Sequence, residues 1–263
     1  MIRLVISNQR GGVAKTTTTH TLGRFFADRG QRVLLIDTDP QGSLGAVLGL
    51  KPRNYLHQLV VGSCRFEDCA VEASPNIHVL CSNRETAHTE QVLAGNGRCE
   101  TLFDRRLGNV DRNYDLVAID VAPSISLLQA CALIYAEQVL IPVAMDPLSL
   151  QGLGATFESV RLLNLTLGLK VHPIAILPVM LDHRLQMTSL VMDSLAELAE
   201  RWHTPVLHPI RTDSTVTKAS RDREFLADYD ARCRAMDDYQ IAFEELNALF
   251  QEQLDAECLQ IPA

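Results

Sequence analysis

The run Ser7-Asn8-Gln9-Arg10-Gly11-Gly12-Val13-Ala14-Lys15-Thr16-Thr17 combines a glycine turn with a lysine and two hydroxyls. Glycines let the backbone fold so that successive N–H groups converge, and such amide clusters cradle phosphate oxygens. If a helix starts at the Lys-Thr pair, its positive end stands behind those amides. Lys15 then meets the β- and γ-phosphates of a nucleotide, and the Thr16 hydroxyl ligates Mg²⁺. The competing reading is a strand-to-helix turn that binds nothing. Context favours the first, because an apolar run precedes the loop and a long amphipathic run follows it. Gly11, Gly12, Val13, Ala14, Lys15, Thr16 and Thr17 are therefore the candidate phosphate-binding residues.

Such a loop needs strands and helices to hold it. Strands are expected at Ile2–Ser7, Arg32–Asp37, Ile77–Cys81, Leu116–Asp120, Gln138–Val143 and Ala175–Val179, with a short one at Val206–Leu207. Their continuous Val, Ile and Leu content, without period-2 alternation, predicts burial on both faces. Helices are expected at Thr16–Arg29, Gly45–Leu50, Glu85–Ala94, Ser126–Tyr135, Leu148–Leu167, Gln186–Trp202 and Asp237–Leu254. This alternation predicts an α/β fold: a doubly wound, mostly parallel sheet with helices on both faces and its ligand crevice at the carboxyl ends of the strands. With no repeat, low-complexity tract or linker, residues 1–263 are expected to form a single domain.

Composition narrows the function classes. Hydrophobic residues make up 47% of the chain and charged residues 21%, which suits a globular protein and not a disordered one. No apolar run reaches the ~20 residues of a membrane helix and the N-terminus has no export signal, so a cytoplasmic location is expected. Seven scattered cysteines without a C-x-x-C pair predict thiols, not disulfides or zinc ligands. The histidines show no metal-binding spacing. A net charge of −8 excludes a surface uniformly attractive to nucleic acid, so any DNA contact needs a local basic patch. Lysines are confined to Lys15, Lys51, Lys170 and Lys218, and arginine carries most of the positive charge.

The loop resembles the deviant Walker A sequence K-G-G-V-G-K-T-T of ParA and MinD proteins. Asp37-Thr38-Asp39-Pro40-Gln41-Gly42 is similar to the family's D-x-D-P-Q-G motif, and Tyr114–Asp120 resembles a Walker B strand ending in a metal-facing carboxylate. Further similarities are Gln138–Val143, Asp182 with Arg184, and Tyr229-Asp230-Ala231-Arg232, so the resemblance runs from Met1 to about Phe250. By that resemblance Arg10 stands where the family has a signature lysine that reaches the partner subunit's phosphates, and an arginine keeps the charge on a wider fork. Ala14 replaces a glycine. It keeps the N–H, but its methyl restricts the backbone and crowds the ligand, which predicts slow hydrolysis or weakened nucleotide affinity.

The resemblance implies a ParA-like ATPase using ATP and Mg²⁺. Lys15, Asp39 and Arg10 would be catalytic, with Asp39 in a switch segment shaped by Pro40 and Gly42 and orienting the attacking water. Thr16 would ligate Mg²⁺ directly, Asp120 and Asp39 through water. Asp37 either supports the nucleotide site or is only a polar strand terminus. Pro178–Met180 and Ile210–Thr212 lie where the family places adenine. An ATP-dependent homodimer would bind nonspecific DNA on the nucleoid, and a ParB-like or cargo-adaptor partner would stimulate hydrolysis to position or segregate a plasmid, chromosome or protein complex. Lys218, Arg221 and Arg223 are the DNA candidates, in a region where interspersed acidic residues equally suit a plain solvated surface. Three alternatives have distinct signatures. A MinD-like membrane regulator needs a basic tail, whereas Ala242–Asp255 is acidic. An iron–sulfur protein needs cysteines beside Val121-Ala122-Pro123. A noncatalytic nucleotide-binding module would have lost turnover through Ala14.

Overall fold

The computed structural model describes residues 1–89, 93, 101–108, 110–124 and 126–259, with side chains to residue 255. Seven strands form one sheet in the order β3-β4-β2-β5-β1-β6-β7. They are β1 (Ile2–Ile6), β2 (Val33–Asp37), β3 (Ala70–Ser74), β4 (Ile77–Leu80), β5 (Leu116–Asp120), β6 (Gln138–Ala144) and β7 (His172–Val179). All neighbours are parallel except β3, which pairs antiparallel with β4 at one edge. Val206 only bridges Ile176, so the expected strand at Val206–Leu207 shrinks to one pairing.

Both faces of the sheet are buried, for a reason visible along single strands. In β2, Val33 and Leu35 enter one apolar cluster while Leu34 and Ile36 enter the other. Alternate side chains point to opposite faces, so two covered faces require apolar residues at every position. The first cluster is closed by α1 (Lys15–Ala27) and the C-terminal helix, Arg234–Leu259. Phe25 meets Phe26 and Phe243 edge-on at centroid distances of 5.4 and 5.5 Å. The C-terminal helix buries Tyr239, Phe243, Leu246 and Phe250, so the apolar face of the acidic tail packs on the core. On the opposite face lie α6 (Leu127–Ala136), α7 (Pro147–Leu167) and α8 (Gln186–Trp202).

Shorter helices are α2 (Ser43–Val47), α3 (Leu56–Val61), α4 (Phe66–Cys69), α5 (Leu102–Leu107), α9 (Ser214–Asp222) and α10 (Leu226–Tyr229), with a 3-10 turn at Val110–Asn113; the long C-terminal helix is α11. Of the helix expected at Glu85–Ala94, residues 90–92 and 94 lie outside the described residues, as do Cys99 and the Cys258 side chain. Cys64, Cys69, Cys81 and Cys233 are free thiols, but Cys131 is disulfide-bonded, against the expectation of thiols throughout. No described helix is long and apolar enough to cross a membrane.

Parallel register aligns the strand ends that matter. Ile6, the last residue of β1, pairs with Asp120, and Asp120 pairs with Asp37. The glycine loop therefore leaves the sheet beside two carboxylates, at its carboxyl edge. The chain order makes this a crossover point: β1 is followed by β2 on one side of it, and β5 by β6 on the other. Open α/β sheets bind ligands at such a place.

Candidate active site

The loop after β1 ends in an open helix terminus. Ala14 caps α1 with no side-chain hydrogen bond, and no acidic residue occupies the first turn. The first N–H groups of a helix have no partner within the helix, so this end favours an anion. Gly12 has φ of +76°, which glycine adopts freely. Ala14 has φ of +58° and ψ of +27°, a left-handed conformation that costs a non-glycine residue about 1–2 kcal/mol. The restricted backbone expected of this alanine is thus real. Its conformation is the one a glycine would adopt more easily.

Lys15 is 8% exposed, and its Nζ donates to the carbonyls of Arg10 (2.9 Å) and Asn8 (3.3 Å). Burial lowers its pKa, while Asp120 and Asp39 act in the opposite direction and favour the charged form. The Thr16 hydroxyl donates to Asp120 Oδ2 at 2.6 Å. Residues distant in sequence therefore meet at one point. Asp37 and Asp120 are both buried, and desolvation raises both carboxyls above the ordinary range.

Asp37 has a defined task. Its Oδ1 accepts from the Asp39 amide (2.9 Å) and its Oδ2 from the Leu44 amide (3.0 Å), spanning the loop between β2 and α2. Asp39 in turn accepts from the Gln41 amide at 2.9 Å. Gly42 closes the turn at φ +64°, and a Cβ there would stand 2.6 Å from the Ser82 carbonyl oxygen. Thr38 is tied to the Walker B strand by its amide and hydroxyl, both donating to the Asp120 carbonyl at 2.9 Å. The loop carrying Asp39 is thereby fixed to the strand carrying Asp120.

Two observations bear on a cation. Asp120 Oδ1 is buried without a hydrogen-bond partner among the described residues, while Oδ2 holds Thr16. No set of three His, Cys, Asp or Glu side chains among the described residues is arranged to ligate a metal alone. A hydroxyl beside a carboxylate with one oxygen unsatisfied among the described residues suits Mg²⁺, which keeps several waters and seldom takes an all-protein cage.

A cavity of about 220 Å³ adjoins the loop, lined by Ala14, Thr17, Met180, Ile210, Thr212 and Tyr239 among others. It unites the two segments expected near adenine with the first turn of α1. Arg10 is exposed, with no ion pair among the described residues. Gly11 and Val13 complete the turn, Val13 being buried in the core beneath it, and Thr17 lies in the first turn of α1. Lys218, Arg221 and Arg223 are exposed on and just beyond α9, away from the phosphate loop in sequence; Arg221 pairs with Asp222 at 2.7 Å.

The structure adds residues that motif reading passed over. Ser7 Oγ accepts from Gln129 Nε2 (3.1 Å), and Asn8 Nδ2 donates to the Pro142 carbonyl (2.8 Å), so α6 and β6 brace the loop's entry. Gln9 is held by α7 through Thr156 and Ser159. The one visible signal was Gly152, a glycine in a helix interior, which often marks a close approach.

A parallel sheet whose central strand feeds an open helix terminus, with lysine and threonine in the first turn and an acid-tipped neighbouring strand, defines a P-loop nucleotide-binding fold. A family model described as an AAA domain matches residues 1–172. The sporulation initiation inhibitor protein Soj of Bacillus subtilis is 31% identical over 241 residues, covering 90% of this chain and 94% of its own. Apo McdA of Cyanothece has a TM-score of 0.83 at 21% identity, covering 93% of this chain and 98% of its own. Cobyrinic acid a,c-diamide synthase of Mycobacterium smegmatis, solved with bound ADP and magnesium, has a TM-score of 0.80 at 26% identity over 95% of each chain. The chain belongs to the ParA/Soj family of P-loop ATPases.

Proposed function

We propose that residues 1–263 act as one ParA-type ATPase unit that dimerises with ATP, binds nonspecific DNA and moves or segregates a cargo as a partner protein stimulates hydrolysis. The observation that carries this reading is the meeting of Lys15, Thr16, Asp39 and Asp120 at the open terminus of α1. Hydrolysis of a terminal phosphate needs charge neutralised and a water held in line, with little covalent work by the protein.

The loop amides from Gly11 to Thr17 and the Lys15 ammonium hold the phosphates. Thr16 would hold Mg²⁺, with Asp120 and Asp39 acting through water, and the ion would supply neutralisation of phosphate charge. Asp39 orients the attacking water, and Asp37 fixes the loop that presents Asp39. Arg10, exposed and unpaired among the described residues, reaches the phosphates of a second subunit. Such a dimer closes when the terminal phosphate is present and loosens after its loss, as nucleotide switches do. The Bacillus subtilis Soj relative is named for sporulation control. Chromosome partitioning, printed in the names of Soj of Thermus thermophilus and ParA of Caulobacter vibrioides, is the role brought here to this chain.

Isothermal titration of ATP with Mg²⁺ tests the foundation: saturable heat is expected, and none at millimolar nucleotide removes the ATPase reading. Asp39→Ala is expected to keep ATP-dependent dimers in light scattering while phosphate release falls to background. Unchanged release by this variant would remove Asp39 from the mechanism.

A further inference from the structure

Helix α7 comes from the far side of the chain, yet it meets the phosphate loop over successive turns of one face. Gly152 lies where a Cβ would collide with Asn8 Oδ1 and stand 2.9 Å from Arg10 Cβ. One turn on, the Thr156 hydroxyl accepts from the Gln9 amide at 3.2 Å and donates to the Gly152 carbonyl at 2.8 Å. The Gln9 side chain donates to Ser159 Oγ at 2.6 Å and to the Ala155 carbonyl at 3.2 Å. Gly152 and Thr156 are buried, and their spacing with Ser159 repeats every three to four residues, which stacks them on one helical face.

These contacts converge on Asn8, Gln9 and Arg10, the three residues just before the glycine turn. Lys15 meets the loop from inside, through the Asn8 and Arg10 carbonyls. Gln9 meets it from outside, through α7. The backbone of Arg10 is held between them, while its guanidinium is free to point outward.

We propose that Gln9, Gly152, Thr156 and Ser159 form a positioning clamp through which α7 sets the place of Arg10. None of the four would touch nucleotide; each would act through the backbone that carries the guanidinium. The role rests on the reading of Arg10 as a cation that stabilises hydrolysis in the opposing subunit. A group acting mainly in the transition state lowers kcat when displaced and leaves ground-state binding nearly intact. Small displacements suffice, since a shift of about 1 Å can cost up to 10²-fold in rate.

The test compares Thr156→Val, which keeps the shape but loses the hydroxyl, with Thr156→Ser, which keeps the hydroxyl. Turnover at saturating ATP, ATP affinity by calorimetry, and hydrogen exchange of residues 9–12 in the nucleotide-free protein are measured together. For Thr156→Val, kcat should fall roughly tenfold or more while ATP affinity stays within about threefold, and exchange at residues 9–12 should quicken. Thr156→Ser should restore all three. Should Thr156→Val fail to fold, Ser159→Ala, at a half-buried position, removes the hydroxyl that accepts from the Gln9 side chain. Unchanged exchange at residues 9–12 in a folded variant overturns the clamp, as does a loss confined to ATP affinity. If the wild-type protein neither binds nor hydrolyses ATP, the ATPase reading fails on its own, and exchange alone decides whether the clamp exists.

Discussion

Ala14 places a conformational cost inside the loop that has to bind phosphate. Its φ of +58° lies in the left-handed region, and its methyl lines the cavity beside α1. Ala14→Gly removes the steric cost of about 1–2 kcal/mol but adds freedom to the unfolded chain worth about 0.5–1 kcal/mol. A net stabilisation of roughly 0.5–1 kcal/mol follows, or a melting temperature raised by roughly 1–4 °C for a chain of this size. ATP should also bind more tightly, because the methyl no longer borders the cavity. Thermal unfolding and calorimetry read both effects. A lower melting temperature in Ala14→Gly would mean that the methyl's packing on the core outweighs its backbone strain. Arg10 and Ala14 were recognisable from sequence because each departs from a motif at a known place. The bracing by Gln129, Thr156 and Ser159 was not, because each is an ordinary polar residue within its helix and acquires a role only when the fold brings it to the loop.

Among the elements, α1 joins chemistry to packing. Its first turn faces the site, and later turns bury Leu22, Phe25 and Phe26 in the core. His20 lies between those regions, 3% exposed and edge-on to Phe225 at 6.0 Å. Burial pushes its pKa down from 6.5 to about 4. Between those values the unfolded chain takes a proton that the native helix refuses, so stability rises with pH across that window. The contribution is complete above 6.5 and is lost as pH falls towards 4, amounting to on the order of 3 kcal/mol. His20→Leu should flatten this part of the acid limb in urea unfolding measured from pH 7 to pH 4. A variant that follows the wild-type slope would show that other groups set the acid sensitivity.

Legibility differed among elements for the same physical reason. The buried parallel strands and long helices announced themselves, because covered faces demand apolar residues over many positions. The edge strand β3, Ala70–Ser74, did not: it is half-exposed, mixed in character and held by one neighbour. Helices α3, α4 and α10 run only four to six residues, too short for a 3.6-residue period to emerge. At α9, Ser214–Asp222, the mean composition is polar and the N-cap is Asp213, whose carboxylate accepts from the Thr215 amide. The cap was readable; the absence of an apolar run concealed the helix behind it.

For the whole molecule, a charge of −8 means that the proposed DNA binding needs a local patch against a repulsive background. The three cations proposed for DNA differ in their own pairing. Arg221 is held by the adjacent Asp222 through two hydrogen bonds of 2.7 and 2.8 Å, which directs its guanidinium to a carboxylate. Arg223 projects from a left-handed residue at the end of α9, its side chain lying against Gly49, while Lys218 is exposed with no ion pair among the described residues. Lys218 and Arg223 should therefore carry more of the phosphate binding than Arg221. With ATP, the protein should shift nonspecific duplex DNA at low salt, and with ADP it should not. Removing a cation that neutralises one phosphate lowers the slope of log affinity against log salt by about 1. Lys218→Ala with Arg223→Ala should flatten that slope by about 2, whereas Arg221→Ala should change it little. Two copies of the patch in a dimer would double the change if both engage the same duplex. Equal effects from all three substitutions would mean that the Arg221–Asp222 pair opens on DNA, and no shift by the ATP-bound wild type at low salt would take DNA out of the function.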